Sequence, residues 1–96
     1  MAELRWSKLA ISDLDDIIFY ISLDSEIDAK LFAAKIIDTI ETTSAFPYSG
    51  RIVPELNDEI IREKVFNNIR IIYRIKDNVM EVVRVLHSAR EFPKLN

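Results

Sequence analysis

Ninety-six residues with a formal charge of −3, 49% hydrophobic content and no cysteine fit one folded domain, since domains typically run to about 100–150 residues. The missing cysteine excludes disulfides and thiolate metal sites, a usage compatible with a reducing cytoplasm. The start, Met1-Ala2-Glu3-Leu4-Arg5-Trp6, lacks the basic opening and apolar run of a secretory signal, and no apolar stretch approaches the ~20 residues of a membrane helix; a soluble, cytoplasmic protein is expected.

Leu4–Trp6 reads as a short strand, and Ser7 as the N-cap of a helix. Ala10, Leu14, Ile17, Ile18 and Ile21 recur at helical spacing, while Asp13, Asp15 and Asp16 take mostly other faces. This predicts an amphipathic helix over residues 8–22. Leu23-Asp24-Ser25 breaks it, and Ser25 with Asp28 resembles a capping box. Ala29, Phe32, Ala33, Ile36, Ile37 and Ile40 then give a second stripe to about Ser44. So short a connection predicts an antiparallel helical hairpin.

Pro47 lies past the helix stop, and Tyr48-Ser49-Gly50 reads as a turn. Gly50 is the only glycine, so any need for an unusual backbone angle falls on it. Residues 51–59 read as an irregular connection. Strands are predicted over 60–66, 69–76 and 79–87, joined by the turn signals Asn67-Asn68 and Asp77-Asn78. In the middle strand Ile69, Ile71, Tyr73 and Ile75 share one face; Arg70, Ile72, Arg74 and Lys76 share the other. One face is expected against the helices and the other to be basic. The fold class is α+β, with the helices on one side of an antiparallel sheet.

Charge is distributed unevenly. Residues 1–60 hold 5 Lys/Arg and 12 Asp/Glu, a balance of −7, whereas residues 61–96 hold 8 and 4, a balance of +4. This pattern fits a basic functional surface on an acidic scaffold. It fits equally a chain whose helices took the acids and whose strands took the remainder.

Trp6-Ser7, Ala10, Asp13-Leu14, Ile17 and Tyr20-Ile21, together with Gly50–Glu55, Ile61–Glu63, Ile69–Ile75 and His87-Ser88-Ala89-Arg90, resemble the RelE/ParE family of type II toxin–antitoxin toxins along nearly the whole chain. The resemblance implies the β-α-α-β-β-β order read above. It implies a cognate antitoxin that wraps the helices and sheet in a toxin–antitoxin hetero-oligomer, with no cofactor and no membrane. It implies either DNA gyrase as target, bound without catalysis as by ParE-like members, or the ribosome and its messenger RNA, cut by RelE-like members. A degenerate relative that only binds its antitoxin is the third reading. The second-strand lysine pair of RelE falls at Ile61 and Glu63, and its C-terminal tyrosine at Asn96, which favours the ParE-like mode.

If the chain is a metal-independent endoribonuclease, the resemblance places Arg70 and Arg90 as phosphate-binding catalytic arginines and His87 as acid or base, with Glu63 the only local base. Arginine suits phosphate because its planar fork donates parallel hydrogen bonds, and histidine titrates near neutral pH. Fold-supporting ion pairs of Arg70 and Arg90 with Glu63 or Glu91, and a structural His87, are the plainer alternatives. Arg62, Lys64, Arg74 and Lys76 are either solvated strand positions or a basic binding patch. Arg51 is expected to close its loop by bonding carbonyls or pairing with Glu55. Trp6, Phe32, Phe46 and Tyr73 read as core. No cysteine, one histidine and no carboxylates clustered at ligand spacing give no support for a dedicated metal site.

Overall fold

The structure, a computed structural model, describes residues 2–88 and 91–95. Its elements are β1 (Glu3–Trp6), α1 (Lys8–Ser22), α2 (Glu26–Ala45), a short 3-10 turn (Pro47–Ser49), β2 (Arg51–Ile52), β3 (Ile61–Phe66), β4 (Ile69–Lys76) and β5 (Val79–His87). Both predicted caps form. Ser7 Oγ accepts the Ala10 N–H, and Ser25 Oγ accepts that of Asp28. Each satisfies a helix-end donor that has no partner within its helix. The Ser7 hydroxyl also donates to the Val83 carbonyl, which fixes the start of α1 to β5.

The five strands lie in the order β1-β5-β4-β3-β2. The predicted turns close the hairpins, with positive φ at Asn67 and at both Asp77 and Asn78; asparagine and aspartate tolerate this region better than most residues. Two features differ from the sequence reading. The α+β class stands, but the sheet is mixed, because β1 runs parallel to β5. The two helices bring the chain back to the end of the sheet that β1 left, so β2 runs antiparallel to β1, and the three reversals through β3 and β4 leave β5 parallel to it. The connection after Gly50 is also partly ordered: Arg51 and Ile52 pair with Glu63 and Arg62 as a two-residue edge strand.

The helix stripes and one sheet face make the main core. Ala10, Leu14, Ile17, Ile36 and Ile40 meet Ile69, Ile71, Tyr73, Ile75, Met80, Val82 and Val85. Fully burying each large aliphatic side chain contributes roughly 1.5–3 kcal/mol. The opposite face of β4 is less open than its arginines suggest. Ile72 packs there with Val53, Val83 and Leu86, and Phe92 and Leu95 of the C-terminal segment lie against them. A register shift makes this possible. Tyr73 opposes Val82 while Ile72 opposes Arg84, so Val83 is an extra residue in β5. The bulge lets Val82 and Val85 serve one core and Val83 and Leu86 the other. Trp6 and Phe32 pack at the margin of the main core. Phe46 does not: it caps α2 where the chain turns away, and it is 73% exposed.

Candidate functional site

On the sheet face away from the helices, four charged side chains form a ladder. Arg70 Nε donates to Glu63 Oε1 at 2.6 Å, and its two terminal nitrogens each donate to a Glu55 oxygen at 2.8 Å. The second Glu63 oxygen accepts from Arg51. The Phe92 ring lies 5.2 Å from the Arg70 guanidinium. Arg70 is only 8% exposed and Glu63 1%, whereas the Arg51 and Glu55 side chains reach solvent. The strands account for the arrangement. Glu63 stands between Arg51 and Ile72 on its neighbouring strands, and the turn after Val53 carries Glu55 over Arg70. Buried charge is tolerable here because each ion is paired and hydrogen-bonded.

The hydrogen bonds from Arg70 hold the Glu55 carboxyl at about 2, below its ordinary 4.5, against the opposing pull of desolvation. The same carboxylates push Arg70 above its ordinary value. A depressed carboxyl contributes stability that is present above its unfolded value and lost as pH falls through its folded one. Glu55 therefore contributes to acid unfolding between about pH 4.5 and 2. Glu55→Gln is expected to flatten the stability–pH curve in that window and leave its slope near neutrality alone. Urea midpoints measured across pH check this.

Gly50 anchors a second arrangement. Its N–H donates to Tyr73 Oη at 3.0 Å, and the Tyr73 hydroxyl donates to the Pro47 carbonyl at 2.6 Å. Burial pushes the Tyr73 hydroxyl up, so it remains a donor near neutral pH. Arg62 Nη1 donates to the carbonyls of Tyr48 and Gly50, and its Nε to that of Glu59. The carbonyl-bonding role expected of Arg51 thus falls to Arg62, and Arg51 pairs with Glu63 rather than Glu55. Gly50 has φ −75°, an ordinary angle, so its need is for space. A Cβ there would stand 2.2 Å from Tyr73 Oη and 2.7 Å from the Glu63 carbonyl oxygen.

The remaining predicted residues do not converge. His87 opposes Ile69, a helix-side core residue, so it points to the helix side. There it borders a small cleft of about 190 Å³ with Asp13, Asp16 and Tyr20. Arg70 and Glu63 occupy the other face, so neither the Arg70–His87 nor the Glu63–His87 combination is assembled. Arg90 and Asn96 lie outside the described residues. Arg62 and Lys64 oppose Tyr73 and Ile71 and share the helix side, while Arg74 opposes Ile61 on the far side. The three therefore form no single basic patch.

Comparison with known proteins bears on this geometry. The family model for the ParE toxin of type II toxin–antitoxin systems, parDE, matches residues 4–92. The chain belongs to the ParE toxin family. A curated relative, Toxin RelE2 of Caulobacter vibrioides, is 28% identical over 90 residues, covering 94% of this chain and 99% of its own. A solved structure described as the chromosomal ParDE toxin–antitoxin system from P. aeruginosa superposes with a TM-score of 0.74 at 20% identity. It covers 91% of this chain and 96% of that one, and it shares the fold.

In this ParE-family chain, the sequence reading missed Asp13 and Arg84. Arg84 Nε and Nη2 donate to the Asp13 carboxylate at 2.7 and 3.0 Å, and the Val85 N–H donates to the same group. The bond to Asp13 holds Arg84 above its ordinary value. Asp13 thereby caps the edge of β5 just beyond where β1 ends. The signal was an acid in a helix that otherwise buries aliphatics on that side, but its partner stands 71 residues away.

Proposed function

We propose that this chain is a growth-arresting toxin that acts by binding DNA gyrase, is held inactive by a cognate antitoxin, and does no chemistry of its own. The observation that carries the non-catalytic mode is the state of Arg70. Its Nε and both terminal nitrogens are spent on Glu63 and Glu55, and His87 lies on the opposite face of the sheet from both Arg70 and Glu63. An arginine so engaged supports the fold and stabilises no transition state. Membership of a two-component toxin family supports the antitoxin. So do the large apolar side chains left open around the hairpin tip, Phe19, Leu23, Ile27 and Leu31; exposed apolar groups of this kind mark surfaces that a partner covers.

Adding the purified protein in excess to a gyrase supercoiling reaction is expected to stop supercoiling, and adding the antitoxin to restore it. Uninhibited gyrase would overturn the target. The relative named Toxin RelE2 favours a second reading, a ribosome-dependent endoribonuclease. Primer extension on cellular transcripts soon after induction separates the two: cuts within translated codons support the nuclease, and intact transcripts with arrested growth support gyrase. Unimpaired growth on strong induction would favour the degenerate, antitoxin-binding relative.

A further inference from the structure

A cavity lies away from the charged ladder, at the end of β4. It is a groove of about 820 Å³, lined among others by Tyr48, Ile60, Arg74, Lys76, Asp77 and Asn78. Three observations give it a chemical character. First, Tyr48 is a prepared stacking surface. The Arg62 guanidinium lies 5.0 Å from its ring centre and is fixed by three carbonyls, yet Tyr48 is still 58% exposed. The ring is supported by a cation and open to a second planar group. Second, the groove's cations are largely unspent. Among the described residues no carboxylate lies within ion-pair distance of Lys76, and the nearest to Arg74 is Glu81 at 4.0 Å. Third, Asp77 is the one carboxylate in the lining of this groove, Glu81 lying in the neighbouring cleft that the same cations border, in a chain whose net charge is negative.

We infer that this groove binds a nucleoside phosphate, with the base on Tyr48 and the phosphate on Arg74 and Lys76. An aromatic platform beside basic side chains suits this ligand because every base has a π-face and every phosphate takes a cation. Apolar Ile60 forms part of the wall. Binding here is independent of gyrase as the target, since neither the ladder nor His87 lines the groove. The same chemistry occurs in a free nucleotide and in one unit of a single strand.

Titrating adenosine monophosphate into the labelled protein tests it by amide chemical shifts. Saturable shifts are expected at Ile60, Asp77 and Asn78. Tyr48→Ala and Lys76→Gln are each expected to weaken binding about tenfold, with the amide spectrum confirming the fold. Pentaadenylate that binds more tightly than the monophosphate, with a steep salt dependence, would identify a strand as the source; equal affinities would identify the free nucleotide. The inference fails if neither ligand gives saturable shifts in the groove. It also fails if inorganic phosphate shifts the same amides as strongly as the monophosphate, or if both variants bind like the parent.

Discussion

Replacing Glu63 by alanine is expected to cost about 3–5 kcal/mol of stability, the loss seen when one member of a buried ion pair is removed. Glu63 accepts from Arg70 and Arg51 at once. Without it, Arg70 stays buried between β4 and the C-terminal segment with only Glu55, a loop carboxylate, to balance it. The neighbouring contacts scale differently. Arg51→Ala removes an exposed partner and should cost about 1 kcal/mol or less. The double variant Glu63→Leu, Arg70→Met replaces the buried charges with apolar groups and should recover most of the loss, because buried pairs are costly to desolvate. Guanidinium unfolding of the three variants checks the set. A loss for Glu63→Ala no larger than that for Arg51→Ala would refute the central place of Glu63.

Gly50→Ala is expected to be the other severe change, costing about 3 kcal/mol, the upper end of ordinary overpacking. The added methyl would meet two groups that cannot easily move. One is the Tyr73 hydroxyl, held by Pro47 and Gly50, and the other is the Glu63 carbonyl within the sheet. Tyr73→Phe alone should cost about 1–3 kcal/mol, because the Gly50 N–H and the Pro47 carbonyl lose their partner. Combining the two should cost less than their sum, since removing the hydroxyl removes the nearest clash. Additive midpoints in a double-mutant cycle would show that the methyl is accommodated by moving something other than Tyr73.

The sequence carried the elements well and their partners poorly, for physical reasons visible in particular residues. Ala10, Leu14, Ile17, Ile36 and Ile40 repeat at the helical period, and that period results from burial on one side. Asn67, Asp77 and Asn78 mark turns because few residues accept positive φ. The parallel pairing of β1 with β5 leaves no local trace, since alternation is the same in either direction. A two-residue strand such as β2 is too short to show a period. Arg70 and Arg74 sit on the same face of β4 by alternation, yet one is buried in an ion pair and the other lines a groove. That difference arises from Glu63, Glu55 and Phe92, none of which lies on β4. The expectation of a basic face failed there, as did the grouping of Arg62 and Lys64 with Arg74. Gly50 was singled out for the wrong reason: what it lacks is a methyl in the path of a tyrosine 23 positions on.

The strand order also governs how the chain can be made. β5 is last in the chain but lies between β1 and β4, and Glu3 meets its partner Val79 across 76 positions. Closing so large a loop is slow, because its entropy must be lost before any contact offsets it. During synthesis the helical hairpin emerges early, and its stripe of isoleucines is fully covered only when Met80, Val82 and Val85 join Ile69, Ile71, Tyr73 and Ile75. A ribosome that stalls or terminates before the final strand therefore releases no domain: β1 has nothing to pair with, Ser7 has no Val83 carbonyl to reach, and Asp13 has no strand edge to cap. The folded domain, and whatever surface it presents to a partner, appears only when its translation is nearly complete.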